Sequence, residues 1–330
     1  MKNSKLKIIL CDSVYSAQLE DLARNMLRDY KNVEIVNLPH ARKGEELGKI
    51  LTDAYAVTID VSTGPITAGI IDKMEKCKII VTLSTGYDHI DLKAASNKGI
   101  YVCNVSNYCI EEVADHTLGF LITITRKMQR LSKLGADYES YQKVGPVHRL
   151  RGRTLGLIGV GKIGKAVSER AKPFGLQVIA YDPYVPAGSL PGISLVELKE
   201  LLHRADIISI HSLLTNETRH MISTEQFKEM KDGVFIINCG RGGIIDHDPF
   251  IEALRSGKVA GAGVDVYEKE PPDPTDPLLH MEQVFATPHT AFNSIEADMD
   301  RQRIPIEDIT RVLNGELPKN IVNMAMLEKI

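Results

Sequence analysis

The segment Thr154-Leu-Gly-Leu-Ile-Gly-Val-Gly-Lys-Ile-Gly164, continuing into Lys165-Ala-Val-Ser-Glu-Arg-Ala171, decides the reading of this chain. Thr154 to Ile158 is a short aliphatic run with strand character, and Ala166, Val167 and Ala171 carry helical spacing after it. Between them Gly159, Gly161 and Gly164 spell G-x-G-x-x-G in the strand-turn-helix context that gives the motif its meaning. Gly159 permits the tight turn, Gly161 lets the backbone approach a pyrophosphate, and Gly164 lets the helix pack close to the strand. The amides of the helix start, at Lys162 and Ile163, are left for phosphate charge. A second strand, Gln177 to Tyr181, ends at Asp182, 23 residues after Gly159. A carboxylate there accepts hydrogen bonds from ribose hydroxyls and repels the extra phosphate of NADP, whereas its plainer role is a turn residue before Pro183. Together these features predict a dinucleotide site that prefers NAD.

Nearer the N-terminus, Leu6 to Cys11 and Val33 to Leu38 read as strands flanking a helix over Ser16 to Tyr30, with Leu19, Leu22, Ala23, Met26 and Leu27 on its apolar face. Ala54 to Ile59, Ile79 to Leu83 and Tyr101 to Cys103 continue as strands, and Thr67 to Cys77 reads as a helix. This alternation predicts a parallel sheet covered on both faces. One long helix is expected over Ile110 to Leu134, opening with Glu111 and Glu112 at its positive N-terminus. Asp137 to Gly152 reads as an ordered excursion, and the tail from Ile295 as a helix with Ile304, Ile306, Ile309, Val312 and Leu313 apolar.

A length of 330 residues favours two domains, and 43% apolar with 25% charged residues excludes disorder. With 43 acidic against 40 basic residues, net −3, nothing suggests capture of nucleic acid. The apolar stretch Leu118 to Ile124 falls far short of the roughly 20 residues of a membrane span, and the N-terminus has no signal-peptide pattern. Five cysteines at wide spacings, with no C-x-x-C, read as reduced cytoplasmic thiols, and no metal site is expected.

The glycine motif with Tyr181-Asp-Pro-Tyr184 resembles the D-isomer-specific 2-hydroxyacid dehydrogenases. Asn238-Cys-Gly-Arg-Gly-Gly-Ile-Ile-Asp246, Gly261-Ala-Gly-Val-Asp-Val-Tyr-Glu-Lys-Glu-Pro271 and Thr287-Pro-His-Thr290 resemble that family's later signatures, in the family's order. Thr85-Gly-Tyr-Asp-His-Ile-Asp91 and Val113-Ala-Asp-His-Thr117 extend the match over nearly the whole chain.

The resemblance implies two Rossmann-like domains of α/β class. The NAD-binding domain, residues 104–294, would be inserted into a flavodoxin-like substrate domain of residues 1–103 and 295–330, with the active site in the cleft between them. A 2-hydroxyacid presents a carboxylate, an alcohol proton and a hydride, so three functions are needed. By similarity Arg241 binds the carboxylate and polarises the carbonyl with its fork of donors, and His289 shuttles the alcohol proton. Glu270 orients His289, a carboxylate beside an imidazole favouring its charged form and fixing one tautomer. Formate-oxidising members have glutamine at the position of Glu270, so formate is disfavoured. Asp265 matches a carboxylate near the nicotinamide carboxamide. Ser212 and Cys239 fall among the cofactor contacts, and Thr85 and Gly86 offer backbone amides to the substrate carboxylate. A homodimer is implied, with the 110–134 helix at its interface.

The chain departs from the family's usual residues at His89, at Ser106-Asn107 and at Leu213. The family accepts lactate, glycerate, glyoxylate, branched ketoacids and phosphoglycerate. The absence of Lys and Arg from residues 50–72, and the absence of a regulatory domain by residue 330, favour an unphosphorylated acid over a short-form phosphoglycerate dehydrogenase. Asn104 to Leu118 and Thr290-Ala-Phe-Asn-Ser294 also resemble the C-terminal binding proteins, NAD(H)-responsive corepressors, which is the alternative function.

Overall fold

The computed structural model describes residues 5–12, 16–38, 43–135, 137–186 and 188–328. They divide into two compact units, Met1–Tyr108 with Ser294–Ile330, and Cys109–Asn293.

The first unit is built on β1 (Leu6–Cys11), β2 (Val33–Leu38), β3 (Ala54–Ile59), β4 (Ile79–Thr82) and β5 (Tyr101–Cys103). They pair in parallel in the order β2-β1-β3-β4-β5, the flavodoxin-like order. All four residues of β4 are buried, as a central strand covered on both faces requires. Ile9, Val57, Ile80 and Val102 share a core with Leu47, Leu51, Ile70 and Ile71 on one face. Ile8, Leu10, Ile79 and Val81 pack with Leu19, Ala23, Leu27, Ile306 and Ile309 on the other. The helix Ile295–Leu313 therefore returns to this sheet, its buried residues including Ile306, Ile309 and Val312.

The second unit holds β6 (Thr154–Ile158), β7 (Gln177–Tyr181), β8 (Ser194–Leu195), β9 (Ile207–Ile210), β10 (Val234–Asn238), β11 (Val259–Val264) and β12 (Val284–Ala286). They form one parallel sheet in the order β12-β11-β10-β9-β6-β7-β8. The order reverses at β6, between β7 and β9, which is the switch point where doubly wound sheets take ligands.

Three expected helices are shorter. The first spans Ser16–Met26 and stops before Tyr30; the one expected over 67–77 is the single turn Ala68–Ile71. The one expected over 110–134 breaks into Ile110–Thr125 and Met128–Leu134. At its end the Thr125 hydroxyl donates to the Leu121 carbonyl at 2.5 Å, and Lys127 turns left-handed at φ 52°. Lys127 Nζ then donates to the Val144 carbonyl at 2.9 Å. No glycine or proline marks this break; a tertiary hydrogen bond supports it.

Candidate active site

The residues expected to act in the second unit all lie just beyond the C-terminal ends of its parallel strands: Gly159 after β6, Asp182 after β7, Ser212 after β9, Cys239 and Arg241 after β10, Asp265 and Glu270 after β11, and His289 after β12. Parallel pairing points every strand the same way, so sheet topology collects these residues along one edge.

At the glycine turn, Gly159 has φ 86°, and a Cβ there would stand 2.7 Å from the Ser212 amide nitrogen. A Cβ on Gly164 would stand 2.5 Å from the Gly159 carbonyl oxygen, so this glycine is what lets the helix Lys162–Ala171 begin so close to the strand. Gly161 differs, because a Cβ there would meet nothing within 4 Å. That open space at a helix start suits a phosphate approaching the backbone. The Ser212 hydroxyl is buried at this turn with no partner among the described residues, an orphan that a bound polar group satisfies. Asp182 uses both carboxylate oxygens locally, accepting from Val160 N–H at 3.0 Å and Tyr184 N–H at 3.1 Å. Each carboxylate oxygen has further lone pairs for ribose hydroxyls. These residues fit a dinucleotide. Burial pushes the neighbouring His211 imidazole down to about 4, so it is neutral near pH 7, and pushes the Cys239 thiol up to about 12, so it is no thiolate.

The reacting side of the edge is tightly organised. The loop carrying Arg241 is fixed by Asn238, whose side chain donates to the Arg241 carbonyl at 3.0 Å and accepts from Gly240 N–H at 3.0 Å. Gly242 presses this loop onto the next one, since a Cβ there would fall 1.9 Å from the Tyr267 carbonyl carbon. Glu270 Oε1 accepts from Tyr267 N–H at 3.0 Å, and Glu270 Oε2 lies 2.7 Å from His289 Nδ1. Burial works to raise the Glu270 carboxyl. The hydrogen bond and charge of His289, the Tyr267 amide and the Arg241 charge outweigh it and hold the group below its usual range.

His289 sits at φ 52°, in the left-handed region that side-chain-bearing residues seldom occupy. Its N–H donates to the Asp265 carbonyl at 2.7 Å. The Asp265 side chain, 1% exposed, accepts from Thr287 Oγ1 at 2.5 Å, Thr290 N–H at 2.8 Å and Ala291 N–H at 3.0 Å. Asp265 therefore organises the histidine loop, a role its sequence position did not disclose. Tyr267 was also missed: its hydroxyl donates to the Thr287 carbonyl at 3.0 Å, and burial, with the charges of Asp265, Glu270 and Asp276, pushes it up to about 12, so it stays a donor. Its place inside the Val266-Tyr-Glu-Lys-Glu270 signature was the available signal.

In the first unit, Thr85 and Gly86 follow β4 on a loop tied to the segment after β5. Asn104 Nδ2 donates to the Thr85 carbonyl at 2.7 Å, and Thr85 Oγ1 donates to the Val105 carbonyl at 3.2 Å.

Residues 118–291 match the family model described as the D-isomer specific 2-hydroxyacid dehydrogenase, NAD binding domain. The chain is 38% identical over 322 residues to a D-3-phosphoglycerate dehydrogenase of Methanocaldococcus jannaschii, covering 97% of this chain and 60% of that protein's length. It is 34% identical over 293 residues to a glyoxylate reductase of Thermofilum pendens, covering 86% of each. Among solved structures it resembles an Aquifex aeolicus D-lactate dehydrogenase complexed with NAD and lactic acid, at TM-score 0.84 and 28% identity over 96% of this chain and 99% of that one. The chain belongs to the D-isomer-specific 2-hydroxyacid dehydrogenase family, its second unit carrying the family's NAD-binding domain.

Proposed function

We propose that this protein is an NAD-dependent D-2-hydroxyacid dehydrogenase that reduces small unphosphorylated 2-ketoacids, with Arg241, Glu270 and His289 as its catalytic residues. The observation that supports this most is the His289–Glu270 pair, 2.7 Å apart on the strand edge that also carries Arg241 and the glycine turn.

Bound nicotinamide supplies the hydride for reduction and accepts it in the reverse direction. Arg241 binds the substrate carboxylate through its fork of donors and draws charge toward the adjacent carbonyl oxygen. With Nδ1 committed to Glu270, His289 offers Nε2 to that oxygen, donating the proton that completes the alcohol and taking it back in oxidation. Glu270 holds the ring in the required tautomer and compensates the imidazolium charge. Asp182 and the amides of Lys162 and Ile163 hold ribose and pyrophosphate, with Ser212, Cys239 and Asp265 as the remaining cofactor contacts. Within the first unit, the Thr85–Gly86 loop is the proposed backbone-amide site for a carboxylate.

The names of the relatives span a phosphorylated and an unphosphorylated acid. The lack of Lys and Arg in residues 50–72 favours the unphosphorylated class. Comparing kcat/KM for hydroxypyruvate and 3-phosphohydroxypyruvate tests this: a higher value for hydroxypyruvate supports the assignment, and the reverse rejects it.

A cytoplasmic homodimer completes the proposal. The five cysteines stand at wide spacings with no C-x-x-C, a pattern that suits a reducing compartment. Met128, within the 110–134 stretch expected at the interface, is exposed, as are Tyr138 and Tyr141 beyond it, side chains that a second copy would cover. Sedimentation equilibrium of the wild type and of Tyr138→Glu/Tyr141→Glu tests the dimer, which the double variant should dissociate. Among the described residues no helix is long and apolar enough to cross a membrane, and no group of His, Cys, Asp or Glu could hold a metal ion.

A further inference from the structure

His116, on the helix Ile110–Thr125, has no part in the chemistry above. It nevertheless lies at the end of a hydrogen-bond chain leading to the histidine loop. Its Nε2 is 3.1 Å from Thr287 Oγ1, and that hydroxyl is 2.5 Å from Asp265 Oδ1. A carboxylate can only accept, so the Thr287 hydroxyl donates to Asp265 and its lone pair faces His116. His116 must then carry its proton on Nε2 to donate in turn. The chain runs His116 Nε2–H to Thr287 Oγ–H to Asp265, whose carboxylate also takes the amides of Thr290 and Ala291 and whose carbonyl takes the amide of His289.

Packing explains why a residue so distant in sequence reaches this loop. A Cβ on Gly263 would fall 2.6 Å from Phe120 Cγ, so glycine in β11 lets the helix lie against the strand that leads directly into Asp265. The Phe120 ring meets His116 edge-on at 4.5 Å and Phe285 of β12 edge-on at 5.8 Å. Those contacts hold the imidazole over both strand ends that feed the loop.

We propose that His116 is a positioning residue for His289. As an obligatory Nε2 donor it orients the Thr287 hydroxyl, keeps Asp265 aimed at the loop amides, and so holds His289 in its left-handed backbone conformation. Without that donor the Thr287 oxygen loses its second partner, its hydrogen bond to Asp265 is less polarised and weaker, and the anchor opposing the loop's backbone strain is loosened. This inference rests on the assignment of His289 as the proton carrier, and deepens it.

The test compares full-length wild type, His116→Phe and His116→Gln. Phenylalanine keeps a ring against Phe120 but removes the donor, whereas glutamine supplies an amide donor on a flexible arm. Hydrogen exchange at the amides of 289–291 gives a readout independent of turnover, and NADH-dependent reduction of glyoxylate and hydroxypyruvate gives the other. His116→Phe should exchange these amides faster and lower kcat about tenfold or more with KM for NADH within about twofold, the scale of one lost buried hydrogen bond. His116→Gln should recover most of both. Unchanged loop exchange in His116→Phe overturns the proposal, as does faster exchange with wild-type kcat, or a His116→Gln variant no better than phenylalanine. If the wild type reduces no 2-ketoacid while His116→Phe still loosens the loop, the functional assignment fails and the positional role survives.

Discussion

The carboxylate of Asp182 accepts the amide of Val160 at 3.0 Å, so the residue assigned to the ribose also braces the glycine turn that receives the pyrophosphate. Sequence position disclosed only the first task. Asp182→Ala removes ribose hydrogen bonds, the repulsion of a 2′-phosphate and the brace together. NAD binding should weaken about tenfold or more, while NADP binding changes less because relief of repulsion offsets loss of the brace. Titration of both cofactors checks this, and equal weakening for the two would remove Asp182 from selectivity.

Gly242 and Tyr267 approach so closely that no side chain fits between their loops, a Cβ falling 1.9 Å from backbone. Gly242→Ala must separate the Arg241 loop from the loop holding Glu270. We expect a loss of roughly 2–4 kcal/mol in stability and a disproportionate loss of kcat. Thermal unfolding together with steady-state rates decides it; a wild-type Tm with wild-type kcat would contradict the geometry.

Arg241→Lys keeps one positive charge but loses the planar fork. KM for the ketoacid should rise and kcat fall, each by about tenfold or more, with NADH affinity nearly unchanged. A variant with wild-type kinetics would show that Arg241 does not hold the carboxylate.

Glu270 gives one kinetic and one stability prediction. Glu270→Gln removes the carboxylate that fixes the His289 ring and compensates its charge in the proton transfer, so kcat should fall about tenfold or more. For stability, a carboxyl held below its usual range in the folded state contributes stability that is present above its unfolded pKa and lost as pH falls through its folded one. The wild type should therefore lose its advantage over Glu270→Gln on acidification below the ordinary glutamate value of 4.5. Wild-type kcat in Glu270→Gln, with stability profiles that run parallel in pH, would separate Glu270 from His289.

The parallel strands were the most legible part of the chain. Aliphatic runs such as Ala54–Ile59 and Thr154–Ile158 are largely buried and carry no competing helical pattern. Helix ends were less legible where a distant partner decides them: Lys127 leaves the helix in order to reach Val144, and nothing local signals it. Resemblance to the family's signatures also points to Arg241, Glu270 and His289 as the proposed catalytic residues. What supports them was hidden, since Asp265 meets Thr290, and His116 meets Thr287, only after β11 pairs with β12 and Phe120 packs onto Gly263.

The proposed function requires hydride delivery to a 2-ketoacid whose carboxylate and carbonyl oxygen are held by Arg241 and His289. Reduction of pyruvate and hydroxypyruvate by NADH, with the products resolved by chiral chromatography, measures that delivery. Turnover should yield the D-hydroxyacid and fall roughly 10²–10⁴-fold in His289→Ala. L-product, or no turnover of any small 2-ketoacid by protein that binds NADH, would contradict it.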